Sequence, residues 1–158
     1  EADTPVEKQI QNLFKTNNIT LAIAESCTGG EIASRLTKIP GSSEYFLGGI
    51  TAYNSYAKKE ILGIDEQLIK THSVVSKEVS REMALKVREK FKSTYGVSTT
   101  GTAGPTLGDS KEKIGTVYIS ISKNDSTITE KYNFGNHRER IILKTVNKVF
   151  EMLIKSIQ

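Results

Sequence analysis

The sequence predicts an α/β fold, a three-layer α/β/α sandwich built around a mixed sheet. Three observations point there. An apolar segment of the buried-strand type, ITLAIAES (19–26), lies between two helical patterns. Strand and helix patterns then alternate along the chain. Two segments of alternating polarity, GTVYISIS (115–122) and STITEKYNF (126–134), follow as a hairpin, and a long amphipathic helix comes last. The 158 residues fit one domain, 1–158. A chain of this size buries roughly 70% of its unfolded surface, so its core needs no disulfide or metal staple.

Each element has its own signal. Residues 5–17 read as a helix, with Val6, Ile10, Leu13 and Phe14 on one face after Thr4 and Pro5. The buried strand 19–26 follows. Thr28-Gly-Gly-Glu31 fits a capping box, Thr28 as N-cap and Glu31 at N3, opening a helix that runs to about Lys38. Pro40-Gly41 stops it. YFLGGITAY (45–53) reads as a second strand containing a glycine pair, and 54–62 as a short helix. After Ser76, Val79, Met83, Val87 and Phe91 recur every four residues and mark an amphipathic helix. Beyond Gly96, VSTTGTAGPTLGD passes from a short strand into a Gly-rich loop. Lys123-Asn124-Asp125 is the hairpin turn. The last helix, about 138–156, carries Ile142, Val146, Val149, Phe150, Leu153 and Ile157 along one face. The expected order is α-β-α-β-α-α-β-β-β-α.

Composition excludes several functions. One cysteine rules out an internal disulfide or a multi-cysteine metal site, and two histidines make a His-rich metal centre improbable. His72 and His137 are isolated, so no metal and no cofactor is expected. The net charge of +4, from 22 basic and 18 acidic residues, is spread over both signs. It suits a small anionic ligand better than nucleic acid, which is not an expected partner. No apolar run approaches the ~18 residues of a membrane helix, and the acidic, polar start EADTPVEKQ does not read as a signal peptide. No membrane association is expected. A start at Glu1 instead of Met leaves open a domain cut from a longer chain.

Four segments could carry chemistry. AESCTGGE (24–31) brings a buried strand into a Gly-Gly turn and a helix start, where free N–H groups bind a phosphate or an oxyanion. Ser26 and Thr28 stand where a nucleophile or phosphate ligand would sit, although GxSxG is not matched, and helix capping explains the same residues. TAYNSYAKKE (51–60) offers a lysine as base, since serine needs one and neither histidine is convincing; a solvated helix face is the alternative. TTGTAGPTLGD (99–109) resembles a phosphate- or ribose-binding loop, yet matches neither the P-loop nor the dinucleotide fingerprint. GNHRER (135–140) sets Arg138 and Arg140 at a helix start, against the helix dipole, which a bound anion or a salt-bridge network would offset.

AESCTGGEIASRLTKIPGSSEYFLGGITAYNSYAKKEILGI, HSVVSKEV, TGTAGP and EKIGTVYI, in that order, resemble the C-terminal domain of the competence/damage-inducible protein A family. That family includes the nicotinamide mononucleotide amidohydrolases, and the likeness covers about Val6 to Ile157. The resemblance implies metal-free hydrolysis of the carboxamide of nicotinamide mononucleotide, yielding nicotinate mononucleotide and ammonia. It implies Ser26 as nucleophile and Tyr53 with Lys58 as its activating pair, Lys58 rather than Lys59 occupying the final motif position. Backbone N–H groups of Cys27, Thr28, Gly29 and Gly30 would form the oxyanion hole. Gly101, Thr102, Gly104 and Arg138 would hold phosphate and ribose. A cytoplasmic homodimer is implied too, and the alternative is a non-catalytic nucleotide-binding or interaction module linked to competence or the DNA-damage response. Thr102 stands where the family often has Ile, Asn136-His137 replace its Gly-Asp, and Ile142 replaces a later Arg.

Overall fold

The computed structural model describes residues 3–158. Its elements are α1 (Val6–Thr16), β1 (Leu21–Glu25), α2 (Glu31–Thr37), a 3-10 turn (Ser42–Glu44), β2 (Phe46–Thr51), α3 (Ser55–Glu60), α4 (Glu66–His72), α5 (Lys77–Phe91), β3 (Tyr95–Gly101), β4 (Thr116–Lys123), β5 (Ser126–Asn133) and α6 (Arg138–Ile157). The strands form one sheet in the order β2-β1-β3-β4-β5. β1 runs parallel to both β2 and β3, whereas β4 is antiparallel to β3 and to β5. The expected mixed sheet with helices on both faces is what forms.

β1 divides the core by alternation. Leu21 and Ile23 join Ile10 and Phe14 of α1, Ile32 and Leu36 of α2, and the Val146–Phe150 stretch of α6 on one face. Ala22 and Ala24 turn to the other face, against Val79, Met83 and Val87 of α5 with Leu62 and Ile64. Small residues there let α5 lie close. A Cβ on Gly96 would stand 2.3 Å from the Ala84 carbonyl oxygen, so this position admits no side chain. Gly96 lies inside β3, paired with Ala22 and Ser122, not before it as the sequence pattern suggests.

Three further expectations change. The helix α4 lies outside the sequence reading, because none of its residues is buried and it carries no apolar stripe to detect. Along α6, Ile141 is fully buried and Ile142 only half-buried, which rotates the core stripe slightly. The Thr28–Glu31 capping box does not form. Gly30, at φ 97°, is the N-cap of α2 and has no side chain to cap with. The capping carboxylate comes from Glu25 instead, accepting from the N–H groups of Ile32 (3.0 Å) and Ala33 (3.1 Å).

This topology fixes where a ligand can sit. From β1 the chain passes to α2 on one face; from β2 it passes to α3–α5 on the other. Chains leaving adjacent parallel strands in opposite directions open a crevice at the strands' carboxyl ends. The β3–β4 loop and the start of α6 close over the same end, as the antiparallel register of β3 and β4 requires.

Candidate active site

Ser26 is the first residue after β1, tied to the sheet by its N–H donating to the Thr99 carbonyl at 3.1 Å. Lys58 projects from α3, whose N-cap Asn54 accepts from the Ala57 N–H through its side chain. The two meet in the crevice. Lys58 Nζ donates to Ser26 Oγ at 2.9 Å and to the Ala52 carbonyl at 2.9 Å. Lys58 is 2% exposed, an extreme value for a lysine. Burial lowers its pKa to about 8, although the Cys27 thiol and the Asp109 carboxylate nearby oppose the shift. A lysine so placed is neutral often enough near pH 8 to act as a base.

The pair opens into a cavity of about 290 Å³, walled by the β1 turn, the start of α3, the β3–β4 loop and Arg138. Of the residues singled out from sequence, Ser26, Cys27, Tyr53, Lys58, Gly101, Thr102, Gly104 and Arg138 line it. Thr28, Gly29 and Gly30 are not part of that lining. The Thr28 hydroxyl instead donates to Glu25 at 2.6 Å and shares a 2.8 Å contact with Thr99. The Gly29 N–H is spent on the Ser26 carbonyl at 3.0 Å. These contacts hold the turn between β1 and α2.

Tyr53 is 57% exposed, and its hydroxyl accepts from the Arg138 guanidinium at 2.7 Å. Arg138 also donates to the Gly104 carbonyl, so one side chain joins the β2–α3 connection, the β3–β4 loop and α6 at the cavity mouth. Among the described residues Tyr53 makes no hydrogen bond to Ser26 or Lys58. Thr102 is buried and donates to Ser110 Oγ at 2.6 Å, while Ser110 accepts from the Glu112 N–H at 3.0 Å. Its hydroxyl pins the loop. Neither histidine lines the cavity; His72 lies 3.6 Å from Glu78 on the surface. No group of His, Cys, Asp and Glu able to hold a metal occurs among the described residues.

Two residues here escape sequence reasoning. Glu25 is 2% exposed, directly before the candidate nucleophile, and carries three donors. A carboxylate ending an otherwise apolar strand was the available signal, because buried carboxylates are rare unless paired. Asp109 lines the cavity from the β3–β4 loop; its type and spacing carried no signal. Cys27, by contrast, is passive: burial pushes its thiol up to about 12, so the nucleophilic thiolate is scarce at neutral pH.

The model of the CinA C-terminal domain family matches residues 3–157. The chain belongs to that family. A CinA-like protein of Flavobacterium psychrophilum is 43% identical over 157 residues, covering 99% of this chain and 38% of that protein. A putative competence-damage inducible protein of Caldanaerobacter subterraneus subsp. tengcongensis is 36% identical, over 96% of this chain and 37% of that protein. The chain thus spans under two-fifths of the length of these curated relatives. Among solved structures, the competence/damage inducible protein of Agrobacterium tumefaciens superposes with a TM-score of 0.91 at 31% identity, covering 97% of this chain and 94% of that one. This CinA-type domain contains no helix, among the described residues, long and apolar enough to cross a membrane.

Proposed function

We propose that this CinA-type domain is a metal-independent nicotinamide-nucleotide amidase, hydrolysing the carboxamide of nicotinamide mononucleotide. The observation that carries the reading is the 2.9 Å hydrogen bond between Ser26 Oγ and a buried Lys58 whose pKa lies at about 8. Neutral Lys58 takes the Ser26 proton as Oγ forms a bond to the carboxamide carbon. The Cys27 N–H, beside the nucleophile in the cavity wall, is the donor assigned to the developing oxyanion. Collapse breaks the C–N bond, and the Lys58 ammonium returns the proton to the departing amine, giving ammonia. Water then attacks the Ser26 ester, Lys58 accepts its proton, and the ester oxygen leaves with that proton as the free Ser26 hydroxyl. The products are nicotinate mononucleotide and the regenerated pair.

Arg138 is the cavity's cation for the substrate phosphate, with Gly101, Thr102 and Gly104 shaping the wall. Tyr53, hydrogen-bonded to Arg138, orients that contact; a direct proton relay to Ser26 would require its side chain to swing inward. On the family resemblance, the setting proposed is a cytoplasmic homodimer in pyridine-nucleotide salvage. The test is ammonia release from nicotinamide mononucleotide by the purified wild-type chain, with nicotinate mononucleotide formed in equal amount. Tight binding of the nucleotide with no ammonia would favour a non-catalytic nucleotide-binding module instead.

A further inference from the structure

The cavity has a charge pattern that phosphate binding leaves unexplained. Its lining holds two cations, Lys58 and Arg138, and a single acidic side chain, Asp109. Asp109 has no ion-pair partner within 4.0 Å among the described residues. Its position is held from both sides: the adjacent Ser110 is fixed by Thr102 at 2.6 Å, and the Asp109 carbonyl accepts from Ser73 Oγ at 3.5 Å. Asp109 is exposed at the cavity wall and close enough to Lys58 to act on its charge, and a carboxylate there repels an anionic substrate unless the substrate brings its own positive charge inside.

We propose that Asp109 is a specificity-determining residue that selects substrates with a cationic ring, an N-substituted pyridinium, over neutral amides of the same shape. The inference rests on the amidase reading and deepens it. Nicotinamide mononucleotide is zwitterionic, positive at the ring and negative at the phosphate. Lys58 faces the carboxamide, Arg138 the phosphate, and Asp109 the ring. The same carboxylate acts on Lys58, whose charged form it favours. Asp109 therefore trades some neutral lysine for ring binding.

Two nucleotides separate the roles: nicotinamide mononucleotide, and the isosteric C-nucleotide in which a neutral benzamide replaces the pyridinium. Their affinities are measured by calorimetry on S26A, which keeps the carboxamide intact, and on S26A/D109N. For the cationic nucleotide D109N is expected to weaken binding about three- to fivefold, the size expected of a solvent-facing charge pair. The neutral one is expected to bind both proteins equally. In the otherwise wild-type enzyme, D109N is also expected to move the acidic limb of the pH–rate profile downward, as removing a carboxylate lowers the Lys58 pKa. Equal losses for both nucleotides, or no loss for either, would overturn the assignment. Absence of ammonia release by the wild-type chain would sink the amidase reading alone, since the affinity ratio is read without turnover.

Discussion

At the residue scale the proposed chemistry turns on Lys58. With a pKa of about 8 against the ordinary 10.5, it is protonated for the most part at pH 7 and neutral above pH 9. Only the neutral amine accepts the Ser26 proton, so kcat/KM is expected to rise with pH and to level off above about 8. A flat profile from pH 6 to 9 would contradict the base assignment. Cys27 supplies the complementary expectation. The residue is 7% exposed and its thiol pushed up to about 12, so alkylation by iodoacetamide at pH 7 is expected to be negligible until the chain unfolds. Rapid labelling of the folded protein would show that the β1 turn opens. Ser26 and Lys58 were legible in the sequence only in part. The absence of a usable histidine pointed to a lysine, but the choice of Lys58 came from the family resemblance. Spacing alone could not do it, because Lys58 and Lys59 differ in fate: one is buried, the other paired with Glu66 at 3.2 Å in solvent.

The elements that present these residues depend on contacts that sequence patterns do not announce. Glu25 is the clearest case. Its carboxylate satisfies two N–H groups of α2 and the Thr28 hydroxyl, so the strand, the Ser26 turn and the helix are joined through one side chain. E25Q would set an amide NH₂ against a buried N–H, leaving donors unpaired at a loss of about 1–3 kcal/mol. Urea unfolding is the measurement, and E25D, which keeps the charge, is expected to fall between E25Q and the wild type. An unchanged midpoint in E25Q would remove Glu25 from this role. β4 makes a related point. Its sequence alternates in polarity, yet Thr116–Ser122 are all buried. Ser98 and Ser120 each contact Ser80 of α5, at 3.2 and 2.7 Å, and Ser120 contacts Thr129 at 2.7 Å. Small hydroxyls that satisfy one another fill a thin layer under α5. Polarity misleads there because hydrogen bonds across the sheet replace water.

For the whole molecule, the site and the stability of the fold pull in opposite directions. Between pH 8 and 10.5 the unfolded chain holds a proton that folded Lys58 has released. Stability therefore rises with pH across that window, by roughly 3 kcal/mol from this group, and the full penalty stands below pH 8. K58M, which keeps the aliphatic stem and removes the charge, is expected to melt at or above the wild-type temperature at pH 7 and to lose that slope. A large drop in Tm would mean that the two Lys58 hydrogen bonds outweigh its desolvation. G96A tests the architecture independently: its methyl group has no room against α5, and overpacking is expected to reduce stability by about 1–3 kcal/mol. The sandwich itself was legible, since buried strands and amphipathic helices announce layers. The crevice was not, because it arises from β1 and β2 sending the chain to opposite faces.

The central claim is that Ser26 and Lys58 act as one unit. Ammonia release from nicotinamide mononucleotide, compared among the wild type, S26A and K58M at pH 8, tests it most directly. Each variant is expected to lose at least about a thousandfold in rate while remaining folded, and the double mutant to be no slower than either single one. Turnover within tenfold of wild type in S26A would contradict the account.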